Sequence, residues 1–352
     1  MKELLSQKWS KASRVMKFGR ELPGYPYNLK AKLTRCLVVA RRIVYGQWFP
    51  RLSNHAPLSV CARGQDANDL IRSMLEKPEP CMIARYGCGE LEATLRGIDV
   101  QREGGVLKKL MRMVIGTGGP FWWDNSIRGG VVWVAGYFPE TDEALNAFSR
   151  RVCEDTRDID LLGSWCAGET QMQRSYCPNM KGIPLSDLEP FWCKRPWTGA
   201  LAGKKVLAVH PFSDTIQAQY AKRRSLFEDP EMLPDYDLIT YRAISSLAGT
   251  KTPYNTWFDA LDKMCADISK IDFDVALIGC GAYGMSIAAF IKRELGRKAV
   301  HLGGVSQLFF GIKGNRWEKV PRYAQLFNEH WIHPLASDTI ANTTAIEGAA
   351  YW

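Results

Sequence analysis

The chain has little of what would classify it at a glance. Its ten cysteines, at positions 36, 61, 81, 88, 153, 166, 177, 193, 265 and 280, never form a C-x-x-C pair, so the usual spacing of a structural zinc site is missing. No signal peptide with a small-residue cleavage site precedes them, and the expectation is reduced thiols in the cytoplasm with no disulfide framework. The longest apolar run near the N-terminus is broken by Arg41 and Arg42, and nothing approaches the roughly 20 residues that a spanning helix needs. Internal repeats and low-complexity tracts are absent as well.

What is present is enough for a real core: 352 residues, 46% of them hydrophobic, fit two modest domains or one large α/β unit with additions. The net charge of +9 is unevenly placed. Residues 1–50 carry eleven Lys and Arg against Glu3 and Glu21, and the remaining 35 basic and 35 acidic residues cancel. Within that part, helical spacing over 33–49 puts Leu33, Cys36, Leu37, Ala40, Ile43, Val44 and Trp48 on one side, with Arg35, Arg41 and Arg42 on the other. This basic amphipathic segment reads either as a helix packed on the core with a solvated charged face or as an interfacial helix lying on anionic lipid. Nucleic acid is a weaker third partner, because no interleaving of aromatic and basic residues continues into the neutral remainder. Residues 1–58 are therefore taken as a basic extension, possessing a membrane-surface role in the second reading, and 59–352 as the main domain.

Beyond a Pro- and Ser-containing connection, the pattern alternates. A helix is expected over 65–75, a strand over 81–86 that ends in a Gly-x-Gly turn, and a helix opened by Glu90. Further strands are expected at 130–136, 159–164, 204–210, 238–245, 275–278 and 298–304, with helices around 142–153, 213–227, 256–269 and 284–292. Strands and helices in alternation give a parallel sheet covered on both faces, a Rossmann-like α/β fold. The stretch from Tyr176 to Trp197, rich in Cys, Pro and Trp, lacks a clear period and reads as a lid or acceptor-binding region. Trp165, Trp192 and Trp197 are each candidates for stacking on a sugar ring, against the plainer alternative of packing in the core.

The glycine-rich turn Ile278-Gly279-Cys280-Gly281-Ala282-Tyr283-Gly284 carries G-x-G-x-x-G between strand and helix. Such glycines let the backbone turn sharply and approach a phosphate at a helix N-terminus. A dinucleotide site also wants an acidic residue at the end of the next strand, to hold ribose hydroxyls. Here that strand ends in His301-Leu302-Gly303-Gly304, which disfavours a nicotinamide or flavin cofactor and leaves a nucleoside diphosphate more attractive. A second strand-to-helix turn, His210-Pro211-Phe212-Ser213-Asp214, offers Ser213 or Asp214 as a cap and a second helix N-terminus at the same edge. Lys313 and Arg316 are candidates for neutralising phosphate charge. Glu90 is either a carboxylate set against a helix dipole or, with Arg85, a group pointing into the crevice at the strands' carboxyl ends. Trp165 and Glu169 follow the strand at 159–164.

Several of these stretches together resemble the GT-D-type glycosyltransferases, in particular a bacterial branch found with surface-polysaccharide genes. The resemblance is carried by Ala84-Arg85-Tyr86-Gly87-Cys88-Gly89-Glu90-Leu91, by Val209 to Ile216, by Ile278 to Gly284, by His301 to Gly304 with Leu308 to Trp317, and by the terminal Glu347 to Trp352. It covers residues 65–352. It implies a Rossmann-like domain that moves a sugar from a nucleotide-sugar, a UDP-sugar foremost, to a glycan or polyprenyl-linked acceptor in capsule or O-antigen synthesis. In that setting the basic extension would hold the enzyme at the inner face of the cell membrane. Glu90 and Arg85 are then the catalytic candidates. Gly87, Gly89, His210, Ser213, Asp214, Gly279, Gly281, Tyr283, Gly284, His301, Gly303, Gly304, Lys313 and Arg316 are the donor-binding set, and Trp165 and Glu169 the acceptor-binding pair. The better-known members carry Asp-x-Glu in the first motif, serving the diphosphate with Mn²⁺ or Mg²⁺. This sequence has Cys88 in place of the Asp, a poor ligand for a hard cation, and keeps Glu90 as the one candidate ligand. Glu90 is free to bind donor hydroxyls or to serve as a base. An NAD(P) oxidoreductase or other nucleotide-dependent Rossmann enzyme, and a non-catalytic nucleotide-sugar-binding protein, are the alternatives.

Overall fold

The computed structural model describes residues 57–115, 117–340, 343 and 349–352, so the basic segment expected over 33–49 lies outside the described residues. Seven strands form one sheet: β1 (Met82–Ala84), β2 (Leu161–Ser164), β3 (Lys181–Pro184), β4 (Lys205–His210), β5 (Asp237–Arg242), β6 (Val275–Ile278) and β7 (Lys298–His301). Their order is β3-β2-β1-β7-β6-β4-β5, and every pair is parallel. A Rossmann-like α/β architecture is thus what the chain adopts.

Period-two alternation explains the two-sided core. Met82, Ala84, Leu162, Leu207, Val209, Ala276 and Ile278 face one side and pack on helices Cys88–Gln101, Asp142–Asp155, Trp257–Ile268 and Tyr283–Arg293. Ile83, Leu161, Val206, Ala208, Val275 and Leu277 face the other, against Gly64–Glu76, Ser213–Tyr220 and the 3₁₀ stretch Gly303–Phe310. Helix starts are set by short polar side chains. The Thr141 hydroxyl accepts from the Ala144 amide at 3.1 Å, and Thr256 forms a reciprocal capping box with Asp259. Among the described residues no helix is long and apolar enough to cross a membrane.

Four expectations need correction. The strand expected at 130–136 is helical: Asp124 caps helix Asn125–Gly129, and the chain continues as a π-turn over Gly130–Val134. A β-branched run favours a strand only when a neighbouring strand edge is within reach, and this run instead continues an already nucleated helix. The helix expected to reach Phe227 ends at Tyr220, because the Lys222-Arg223-Arg224 run has no apolar face to bury; Arg223 and Arg224 instead pair with Asp235. The irregular 176–197 stretch contains β3, which pairs with β2 over Leu161 to Ser164. Finally, Cys88 and Cys166 are joined as a disulfide with Cα atoms 5.6 Å apart. They are 78 residues apart in sequence, but they follow adjacent parallel strands, whose carboxyl-end loops necessarily abut.

Candidate functional site

Because all strands run the same way, the loops after them share one edge, and there they enclose a cleft of about 420 Å³. Arg85, Gly87, Gly89 and Glu90 enter it after β1, Trp165 after β2, Gly279, Gly281 and Tyr283 after β6, and Gly303 and Gly304 after β7, while His210 and His301 are the last residues of β4 and β7, with Arg316 facing them. The crevice at the carboxyl ends of a parallel sheet is where open α/β folds bind ligands.

Arg85 is the central cation. Its guanidinium carbon lies 5.0 Å from the centroid of the Trp165 ring, and the Trp165 indole is itself fixed by donating to the Tyr86 carbonyl at 2.9 Å. Gly303, at φ +66°, lets the guanidinium approach, since a Cβ there would fall 3.0 Å from Nη1. Burial lowers the Arg85 pKa, with the Glu90 carboxylate acting to raise it. Among the described residues no carboxylate lies within ion-pair distance of Arg85. Arg316 holds its guanidinium 4.9 Å from the Tyr351 ring centroid and donates to the Tyr351 hydroxyl at 3.3 Å. Glu90 lies in the first turn of its helix and folds back over Gly87, where any Cβ would collide with the carboxylate. That close approach, rather than a ligand, is the local reason for Gly87.

Two buried imidazoles complete the floor. His210 is 5% exposed and His301 4%, and burial pulls both down to a pKa of about 3. Both are neutral at pH 7. His210 Nδ1 accepts from the Phe212 amide at 2.9 Å, so its proton is on Nε2, a neutral donor at the cleft wall. His301 Nδ1 has no partner among the described residues.

The glycine-rich turn has a different logic from a phosphate cradle. A Cβ on Gly279 would run into the Ser306 hydroxyl first and would also meet His210 Cδ2 at 2.8 Å and the Gly303 carbonyl at 2.9 Å, and one on Gly284 would collide with His301. Gly281, at φ +60°, makes the turn. Two amides at this helix start are already used: Ala282 donates to the Ala135 carbonyl at 3.2 Å and Gly284 to the Gly281 carbonyl at 3.1 Å. The second helix start is satisfied internally too. Asp338 accepts from the Thr215 amide at 2.7 Å and its hydroxyl at 2.6 Å, while pairing with Arg242 at 2.6 Å. The anion that this N-terminus favours is thus the protein's own carboxylate.

Several expected site residues stay outside the cleft wall. Ser213 is buried at the helix start, and Asp214 pairs with Arg242 at 2.6 Å. Gly284 packs on His301, and Lys313 lies 3.8 Å from Glu318. Glu169 is fully buried and accepts from the amides of Leu58, Trp165 and Cys166 at 3.1, 3.1 and 2.9 Å, and from the Ser164 hydroxyl. It braces the β2 turn. Trp197 is fully buried, its indole donating to the Leu188 carbonyl at 3.0 Å, whereas Trp165 and Trp192 are 44% and 37% exposed. Tyr323, Gln307 and Ser246 also line the wall, as do Tyr351 and Trp352 of the terminal motif. Nothing local marks the first three.

The donor set for a divalent cation is thin. Among the described residues no cluster of three His, Cys, Asp or Glu fits a metal, and the sulfur of Cys88 is bonded to Cys166. Among the described residues the cleft wall offers two carboxylates, Glu90 and Glu189, the latter held by the Tyr323 hydroxyl. What the arrangement supplies instead is fixed cations beside neutral donors, suited to a polyanion with hydroxyl groups.

No family model, curated protein or solved structure matches the chain. The fold and this cleft define the class of protein: a Rossmann-like α/β protein with a cationic crevice at the carboxyl edge of its sheet.

Proposed function

We propose that the chain is a glycosyltransferase of the GT-D type that moves a sugar from a nucleotide-sugar to a glycan or lipid-linked acceptor in surface-polysaccharide synthesis. The observation that carries the reading is Arg85, a partly buried cation with no carboxylate within ion-pair distance among the described residues, held over Trp165 beside Glu90. A cation so placed costs free energy in the empty protein, and an anionic ligand recovers it. The motif resemblance supplies the ligand's identity as the diphosphate of a sugar donor.

In this reading Arg85 and Arg316 take up the charge that develops on the departing nucleoside diphosphate. The neutral His210 Nε2–H donates to a phosphate or sugar oxygen without adding charge, and Glu90 accepts from donor hydroxyls. Arg85 and Arg316 carry the charge of the diphosphate, with Glu90 and Glu189 as the carboxylates of the same wall.

Thermal-shift screening against UDP- and GDP-sugars, NAD(P)H and S-adenosylmethionine, each with and without Mn²⁺, tests the proposal. Stabilisation by a UDP- or GDP-sugar, and loss of that shift in Arg85→Met, is expected. Stabilisation by NAD(P)H or S-adenosylmethionine alone overturns it.

A further inference from the structure

A second cleft of about 350 Å³ opens beside the first, walled by Gln65, Asp187, Trp192, Lys194 and Arg322. One residue, Glu189, lines both clefts. It is 7% exposed, and the Tyr323 hydroxyl donates to its two carboxylate oxygens at 2.8 and 2.9 Å. The wall of the second cleft is built rather than loose. Asp187 accepts from the Gly64 amide at 2.7 Å, and Gln65 accepts from the Lys194 amide at 2.9 Å and donates to Asp69 at 2.8 Å.

Two features indicate what this cleft takes. Trp192 presents an indole that is 37% exposed, with the Arg322 guanidinium carbon 4.7 Å from its ring centroid. An exposed aromatic ring in a cleft is a platform for the C–H face of a pyranose. Arg322 and Lys194 have no ion-pair partner among the described residues, while Asp187 is committed to the Gly64 amide. Asp187 and Glu189 balance the two cations in charge, but their carboxylates are held by the Gly64 amide and the Tyr323 hydroxyl, so among the described residues Arg322 and Lys194 are the charged donors of this wall left for an anion.

Resting on the glycosyltransferase reading, we propose that the second cleft is the acceptor subsite, that it takes a saccharide bearing a carboxylate or phosphate, and that Glu189 removes the proton from that saccharide's attacking hydroxyl. The acceptor oxygen forms the new bond to the anomeric carbon, and the bond from that carbon to the phosphate oxygen breaks. The electron pair leaves on the nucleoside diphosphate near Arg85, and the proton passes to the Glu189 carboxylate. Position selects Glu189 over Glu90: it stands in the wall that the two substrates share, whereas Glu90 belongs to the first cleft alone. Burial pushes the Glu189 carboxyl above the usual carboxylate range, with Asp187 adding to the rise and Tyr323, Arg322 and Trp192 opposing it, which strengthens it as a base.

Saturation-transfer NMR on the full chain, with methyl glucuronide, glucose 6-phosphate and neutral methyl glucoside as probes, tests the site. At least one anionic probe should show transfer at least fivefold above methyl glucoside. UDP should not compete with it, and Trp192→Ala, whose ring is exposed enough to leave the fold intact by circular dichroism, should abolish it. The identity of the binding probe separates carboxylate from phosphate recognition. Binding that survives Trp192→Ala, equal binding of the neutral probe, or no binding of any probe overturns the site. For Glu189, the readout is nucleoside diphosphate release stimulated by the bound probe: Glu189→Gln, which keeps an oxygen for Tyr323, should cut the stimulation at least a hundredfold while UDP still binds. Stimulation equal to wild type overturns the assignment. Failure of the donor reading is separately visible, as absence of UDP binding in the wild-type protein whatever the saccharides do.

Discussion

Replacing Arg85 by methionine removes the charge and keeps an unbranched apolar stem of similar length. In the empty protein two terms oppose each other. Loss of the stacking contact with Trp165, 5.0 Å away, costs about 0.5–2 kcal/mol, while relief of a partly buried cation that has no carboxylate at ion-pair distance among the described residues returns a comparable amount. The empty variant should therefore lie within about 1 kcal/mol of wild type in urea denaturation, the two terms being close to equal. With nucleotide present the terms no longer cancel. A hydrogen bond to a charged group contributes about 1.5–3 kcal/mol, which corresponds to roughly 10- to 150-fold weaker binding of UDP or GDP at about 1.4 kcal/mol per decade. Isothermal titration calorimetry at low and moderate salt measures this, and the wild-type affinity should fall with salt more steeply than that of Arg85→Met. Equal affinities in the two proteins, with the fold intact, refute the placement of the diphosphate against Arg85.

Three further outcomes follow from the geometry. His210 and His301 stay neutral in the folded chain down to pH about 3, against 6.5 for an ordinary histidine; the unfolded chain takes up protons first, so stability is lost as pH falls below 6.5. The slope approaches about 2.7 kcal/mol per pH unit for the pair; denaturant titrations between pH 6.5 and 5.0 should show it, and His210→Asn should remove about half. Gly284→Ala puts a methyl against the His301 ring and should cost about 1–3 kcal/mol as overpacking, measurable by thermal and chemical denaturation, whereas an unchanged stability would mean that His301 is free to move. Removal of residues 1–50, which carry the whole net charge, should abolish salt-sensitive binding to anionic liposomes in a flotation assay if this segment lies on lipid; unchanged binding rejects the membrane role.

The strands and helices of the sheet were legible because their signals are local. Val275 to Ile278 reads as a buried run and Trp257 to Ile268 as an amphipathic face, and each is what its pattern says. Val131 to Val134 misled for the same reason: β-branched residues state a preference, and the helix begun at Asp124 overrode it. The site was half legible. Arg85, Glu90, His210, His301 and Arg316 all follow strand ends or a basic loop, and topology carries them to one edge. What misdirected the rest were partners far away in sequence. Asp338 occupies a helix start 123 residues away, Glu169 braces Leu58 across 111 residues, and Cys166 takes up Cys88. A lone Glu or a capping Ser looks the same whether it awaits a ligand or already serves a neighbour. Gly279 and Gly284 show the converse: glycines that suit a phosphate turn also make room for the Ser306 hydroxyl and for two histidines.

The central claim is that the cleft at the carboxyl edge turns over a nucleotide-sugar. Mass spectrometry of nucleoside diphosphate released from a panel of UDP- and GDP-sugars, run with the wild-type protein and with Glu90→Gln, tests it most directly. The account predicts release from at least one donor by the wild type and loss of that release in a folded Glu90→Gln. No release from any donor, or equal release by the two proteins, would contradict it.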